Sequence, residues 1–202
     1  MRIYDISQEV FGSRAYPGDP TPTQRALCSM KKGDAYNLTE FCMCAHNGTH
    51  VDAPFHFLQD GKTVDAVSLE HFVGTAFVTE HCGTVRGEDA EKMIEGARAQ
   101  NAESAKRILI KGPAMVSPEA ASVFARAGLL LLGNESQSVG PEDTPMEVHR
   151  TLLAANVMLL EGICLEKVPE GVYLLNAAPL NLSGAEGSPC RAILIDVSSA
   201  RI

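Results

Sequence analysis

The sequence predicts an α/β protein with a mixed, curled or barrel-like sheet and flanking helices in a single domain, a class set by its length, its second half and its first half. Its 202 residues, 45% apolar and 21% charged, have the composition of an ordinary globular domain. In the second half, short apolar runs alternate with amphipathic helical patterns. The first half carries strand and turn signals with almost no helix, which a purely parallel sheet does not produce.

Strands are predicted at Thr75 to Val78, Arg107 to Ile110, Leu129 to Leu132, Val157 to Leu160, Val172 to Leu175 and Ala192 to Val197, all rich in β-branched or aliphatic residues. Helices are predicted at Asp89 to Ala99, Pro118 to Ala127 and Pro145 to Ala155. The last begins on Thr144 as N-cap, Pro145 at the first helical position and Glu147 three residues after the cap. It places His149 in its second turn and ends near Asn156. The following strand delivers Glu161 at its C-terminal end, where α/β sheets place ligands.

A net charge of -8, with 17 scattered Lys and Arg, argues against a nucleic-acid partner. No apolar run approaches the roughly 20 residues of a membrane span, and the N-terminus lacks the apolar core of a signal peptide, so a cytoplasmic protein with no membrane partner is expected. The six cysteines include no CxxC pair and lie mostly in apolar runs, which reads as buried, reduced thiols. Cys42 and Cys44 alternate in phase with His46, leaving a thiolate ligand open.

The chemistry concentrates in His46-Asn-Gly-Thr-His50-Val-Asp52-Ala-Pro-Phe-His56. Three of the six histidines fall within these eleven residues, the clustering of a metal site. Gly48 and Pro54 exclude a helix. In an extended chain residues 46, 50, 52 and 56 point to one face. A straight strand would hold His46 and His50 about 13 Å apart, too far for one ion, so Asn47-Gly48 is expected to bend the chain. Imidazole and carboxylate together suit a catalytic zinc or manganese with open positions. Glu161, entering a core, needs a cation as partner. His149 taken alone reads as solvent-facing, and His71 and His81 as surface or packing residues.

These residues resemble the H-x-G-T-H-x-D-x-P-x-H signature of the cyclase family of metal-dependent hydrolases, which includes bacterial kynurenine formamidases. The resemblance continues through Tyr16-Pro-Gly-Asp19, Leu132-Gly-Asn-Glu-Ser-Gln-Ser138, His149 with Glu161, and Ala178-Pro-Leu-Asn-Leu-Ser-Gly184 with Ser188-Pro189. It implies a barrel-like sheet and two metal ions, with His46 and His50 on one, His149 on the other, and Asp52 and Glu161 shared. It further implies His56 as acid/base, a small-molecule substrate and a homodimer or larger homo-oligomer. Tyr16 stands where those formamidases carry Trp, at the substrate wall, and Glu135 stands where many members carry Asp. The implied activity is hydrolysis of an amide or formamide, N-formylkynurenine being the most specific candidate. The alternatives are opening of a cyclic amide or ester such as isatin, or metal or ligand binding without catalysis.

Overall fold

The computed structural model describes residues 1–141 and 145–196. Its strands are β1 (Arg2–Asp5), β2 (Thr23–Cys28), β3 (Leu38–Cys42), β4 (His50–Asp52), β5 (Val73–Glu80), β6 (Gly83–Val85), β7 (Arg107–Lys111), β8 (Ala114–Val116), β9 (Leu131–Asn134), β10 (Met158–Glu161), β11 (Gly171–Asn176), β12 (Gly187–Pro189) and β13 (Ile193–Asp196). The helices are α1 (Gly87–Gln100), α2 (Pro118–Ala127) and α3 (Pro145–Ala154). Nine strands form one sheet in the order β1-β13-β11-β5-β7-β9-β10-β4-β12. The central four, β5 to β10 through β7 and β9, run parallel. Antiparallel strands extend both flanks, which makes the sheet mixed as expected.

Both faces of the sheet are covered. On one, Ile108, Ile110, Leu132 and Leu159 pack against Ala90, Ile94, Ala120, Phe124, Val148 and Leu152 of the helices. The other face closes on itself: Tyr4 of β1 and Leu194 of β13 share one apolar cluster with Val51 of β4 and Leu160 of β10. Strands far apart in the sheet order meet only if the sheet curls, and apolar side chains then fill the inside of the curl.

The predicted elements recur with shifted ends. α1 starts two residues early because the Asp89 carboxylate accepts the Arg86 N–H at 2.9 Å. β9 begins at Leu131 instead of Leu129. α3 stops at Ala154, and Asn156 takes the left-handed conformation at φ 58° that ends helices. The N-cap Thr144 and the last residue of the final strand, Val197, lie outside the described residues.

The cysteine expectation is corrected. All six are free, and none is buried: Cys42, Cys82 and Cys164 are exposed, and Cys28, Cys44 and Cys190 are half-buried. Their apolar neighbours belong to edge strands and loops, not to the core. Among the described residues no helix is long and apolar enough to cross a membrane.

Candidate metal centre

The segment 46–56 is not one extended strand, and the single-face alignment expected of it is corrected. Only His50–Asp52 is strand; His46 lies on a turn, and Pro54–His56 forms a 3-10 turn. The bend falls where Asn47-Gly48 predicts it, with Gly48 at φ 67°, a region that favours glycine. The Asn47 side chain secures the turn by accepting the Cys44 N–H at 2.7 Å. Pro54 ends the strand because it has no N–H to donate to a ladder. The chain therefore folds back at both ends of β4 and brings His46 and His56 over it.

β4 pairs with β10 in the register Glu161↔His50 and Leu159↔Asp52. The pairing sets Glu161 beside the two ligand candidates of β4 on a rigid pair of buried strands. α3 brings in His149 from the side. His149 is buried, 3% exposed, contrary to the solvent-facing reading of a lone helical histidine. Phe57 packs on its ring at 4.6 Å between centroids.

The side chains converge around Asp52. Its Oδ1 lies 2.9 Å from His46 Nδ1 and 3.5 Å from His50 Nε2, and its Oδ2 lies 3.7 Å from His149 Nε2. Glu161 spans the same two sides: Oε2 is 3.3 Å from His50 Nε2, and Oε1 is 3.3 Å from His149 Nε2. Two groups of potential ligand atoms result, His46 with His50 and Asp52, and Asp52 with His149 and Glu161, each within 4.8 Å. No cysteine belongs to either group among the described residues.

The donor set fits a metal. Both carboxylate oxygens of Asp52 and both ring nitrogens of His46 are buried without a hydrogen-bond partner. His46 Nδ1 nonetheless approaches Asp52 Oδ1 to 2.9 Å. Buried polar atoms are rarely left unpaired, and the Asp52 oxygens, facing His46 Nδ1, His50 Nε2 and His149 Nε2, are placed as a shared cation requires. Second contacts hold the ligands: His50 Nδ1 lies 3.0 Å from the Gly48 carbonyl, and Glu161 Oε1 accepts the Val139 N–H at 2.7 Å.

The electrostatics follow from burial and mutual charge. Burial raises the pKa of Asp52, but the imidazoles of His46, His50 and His56 outweigh it and hold the carboxyl far below its ordinary range. Burial and Asp52 push Glu161 up, yet His149 and His50 leave it lowered. Burial depresses His50, and Glu161 and Asp52 overcome it and lift the imidazole to about 8. For His56 burial wins over the attraction of Asp52, and the pKa falls below 6.5.

The elevated His50 gives a stability prediction for metal-free protein. The folded state keeps a proton that the unfolded chain releases near pH 6.5, so this contribution is complete below pH 6.5 and disappears as pH rises through about 8. It amounts to on the order of 2 kcal/mol. Chelated protein should melt at a lower temperature at pH 8.5 than at pH 6.5, and metal should abolish the difference because imidazole binds metal as the neutral form. Equal melting temperatures in chelated protein would contradict the assignment.

His56 belongs to neither ligand group. Its ring stacks on His46 at 4.0 Å and 27° and meets the edge of Phe57 at 4.4 Å. It faces a cleft of about 360 Å³ whose lining includes Tyr16, Asp19, Phe57, Gln137 and Ser138, within the range of small-molecule sites. Tyr16 opens the turn Tyr16-Pro-Gly-Asp19, closed by the Asp19 N–H on the Tyr16 carbonyl at 3.0 Å. His71 and His81 stand apart, each half-buried with a ring nitrogen on a nearby backbone carbonyl.

The sequence does not single out Phe57, Gln137 and Ser138 as site residues, although the first adjoins His56 and the others close the run Leu132–Ser138. Nor does it single out Glu186, whose Oε1 lies 3.3 Å from His46 Nε2. Glu135 does not reach the cleft: its carboxylate accepts the N–H groups of Gly112 and Leu165 at 2.6 and 2.7 Å and ties two loops together.

The fold and these residues place the chain in an existing class: it belongs to the family described as Putative cyclase, which matches residues 4–141. A kynurenine formamidase of Erythrobacter litoralis is 32% identical over 213 aligned residues, covering 98% of this chain and 96% of that protein. A solved structure described as a potential metal-dependent hydrolase with cyclase activity is 25% identical and has a TM-score of 0.78 over 96% of each chain. Isatin hydrolase A of Labrenzia aggregata, at 20% identity and a TM-score of 0.79 over 96% of this chain and 93% of its own, shares the fold.

Proposed function

We propose that the protein is a metal-dependent hydrolase of amide bonds other than peptide bonds, an arylformamidase that cleaves N-formylkynurenine. The observation that carries this reading is the buried ligand set around Asp52, whose carboxylate oxygens lack a hydrogen-bond partner, beside His56 in a cleft. The full-length likeness to a kynurenine formamidase supports the choice of substrate. Residues 1–202 act as one hydrolase domain.

On this reading His46, His50 and Asp52 would hold one divalent ion and Asp52, His149 and Glu161 a second, zinc or in its place manganese. Such ions supply a water nucleophile near neutral pH and polarise the scissile carbonyl. The chain's own residues do the rest. His56 Nε2 or Nδ1, neutral at physiological pH because burial lowers its pKa, takes a proton as water adds to the formyl carbon. It returns the proton to the departing nitrogen when the C–N bond breaks, giving formate and the free amine. Tyr16 and Phe57 wall the cleft and suit an aromatic ring.

The protein is further proposed to be cytoplasmic and a homodimer or larger homo-oligomer. The β2–β3 hairpin supports self-association: Leu27, Met30, Tyr36, Leu38 and Phe41 on or next to it are exposed, and an isolated two-stranded hairpin is marginal in water.

Metal content of untagged protein by plasma mass spectrometry, run beside hydrolysis of N-formylkynurenine and isatin with and without chelator, tests the reading. Close to two equivalents of metal with chelator-sensitive release of formate is expected. Turnover of isatin alone would move the assignment to cyclic amides. Absence of metal after incubation with zinc or manganese would overturn it.

A further inference from the structure

We propose that Glu186 is a positioning residue for His46: its carboxylate, standing at Nε2, keeps the imidazole proton on that nitrogen and leaves the Nδ1 lone pair directed toward Asp52. The inference rests on the metal-centre reading above and adds a residue that belongs to neither ligand group.

A neutral imidazole has one N–H and one lone pair, and a metal takes the lone pair. Which nitrogen carries the proton is decided by what faces the other one. In His46 the two nitrogens face different partners. Nδ1 lies 2.9 Å from Asp52 Oδ1, on the side shared with His50, so this is the nitrogen that must be bare. Nε2 lies 3.3 Å from Glu186 Oε1, at ion-pair distance without a formed hydrogen bond. A negative charge there favours the tautomer with Nε2 protonated and makes Nδ1 a better donor. The Asp52 carboxylate, 2.9 Å from Nδ1, draws the proton toward the metal side, and the Glu186 charge at Nε2 opposes that pull.

The position of Glu186 is built into the sheet. Its carbonyl accepts the Ala53 N–H at 2.9 Å, and the preceding Ala185 carbonyl accepts the Val64 N–H at 2.8 Å. The following residues pair with β4 in the register Gly187↔Asp52 and Ser188↔Val51. At Gly187 a Cβ would lie 2.7 Å from His46 Cε1 and 2.8 Å from the Val51 carbonyl, so only glycine lets β12 approach the His46 ring this closely. The other faces of the ring are occupied by His56, stacked at 4.0 Å, and by the edge of His50 at 5.0 Å between centroids. Rotation of the ring is therefore restricted, and the remaining freedom is the proton's location. The side chain of Glu186 is 40% exposed.

The test is zinc affinity of metal-stripped protein, measured by competition with a chromogenic chelator for wild type, Glu186→Gln, Glu186→Ala and Glu186→Asp, with the melting temperature of each metal-free protein alongside. Gln and Ala should weaken zinc binding by about 10- to 100-fold, Asp should recover part of the loss, and the metal-free melting temperatures should agree. Wild-type affinity in Glu186→Gln would overturn the proposal, as would a metal-free melting temperature lowered in step with affinity, which would make the role structural. Failure of the wild type itself to bind zinc would instead remove the metal-centre reading on which the proposal rests.

Discussion

Replacement of Asp52 by alanine should empty the centre and abolish turnover together. The residue is fully buried, contributes to both ligand groups, and faces His46, His50 and His149 at 2.9, 3.5 and 3.7 Å. No other carboxylate takes its place, because Glu161 already spans His50 and His149. Loss of a partner outside the ligand set typically weakens metal binding by about 10- to 100-fold, and loss of a shared ligand exceeds that. After desalting, Asp52→Ala is expected to retain less than about a tenth of the wild-type metal, with formamide hydrolysis at background. Wild-type metal content in this variant would show that Asp52 is not a ligand.

His56→Ala should separate the two properties that Asp52→Ala removes at once. His56 stands against His46 in the cleft and outside both ligand groups, so metal content should match wild type. Turnover should fall by about 10²- to 10⁴-fold, the usual contribution of a general acid/base. The sign of the pH effect follows from burial: the pKa lies below 6.5, the neutral base predominates at pH 7, and wild-type activity should decline only as pH drops beneath that value. Full turnover in metal-replete His56→Ala would end its assignment as the proton carrier.

The parts of this site legible in the sequence are those whose cause is local. His46, His50, Asp52 and His56 announce themselves by proximity, and Glu161 by the anomaly of a carboxylate ending an apolar strand. The depth of His149 was not legible, since helical periodicity places a residue on a face but does not say what covers that face; Phe57 and β10 do. Glu186 sits in a Gly- and Pro-rich turn cluster and gains its meaning only when β12 pairs with β4. The same limit hid several strands. β4 has three residues, β12 is Gly-Ser-Pro, and neither composition nor length marks them, because they exist as additions to β10 and not through their own propensity. The β2–β3 hairpin escaped for the opposite reason: nearly all of its residues are exposed, so no apolar alternation sets it apart. The buried-thiol reading failed likewise, since local hydrophobicity did not distinguish edge strands from core.

The pairing of β4 with β10 also orders events in time. One ligand group lies wholly between residues 46 and 52, a loop so short that its closure costs little entropy even in an unfolded chain. The other joins residues 52, 149 and 161 and exists only after β7, β9 and β10 have assembled and α3 has docked. On the proposed two-ion reading, a newly made chain should capture an ion at its first group before the fold is complete and acquire the second on completion. Uptake of metal during refolding should show a fast phase tied to the segment around β4, and a slow phase that coincides with formation of the central sheet.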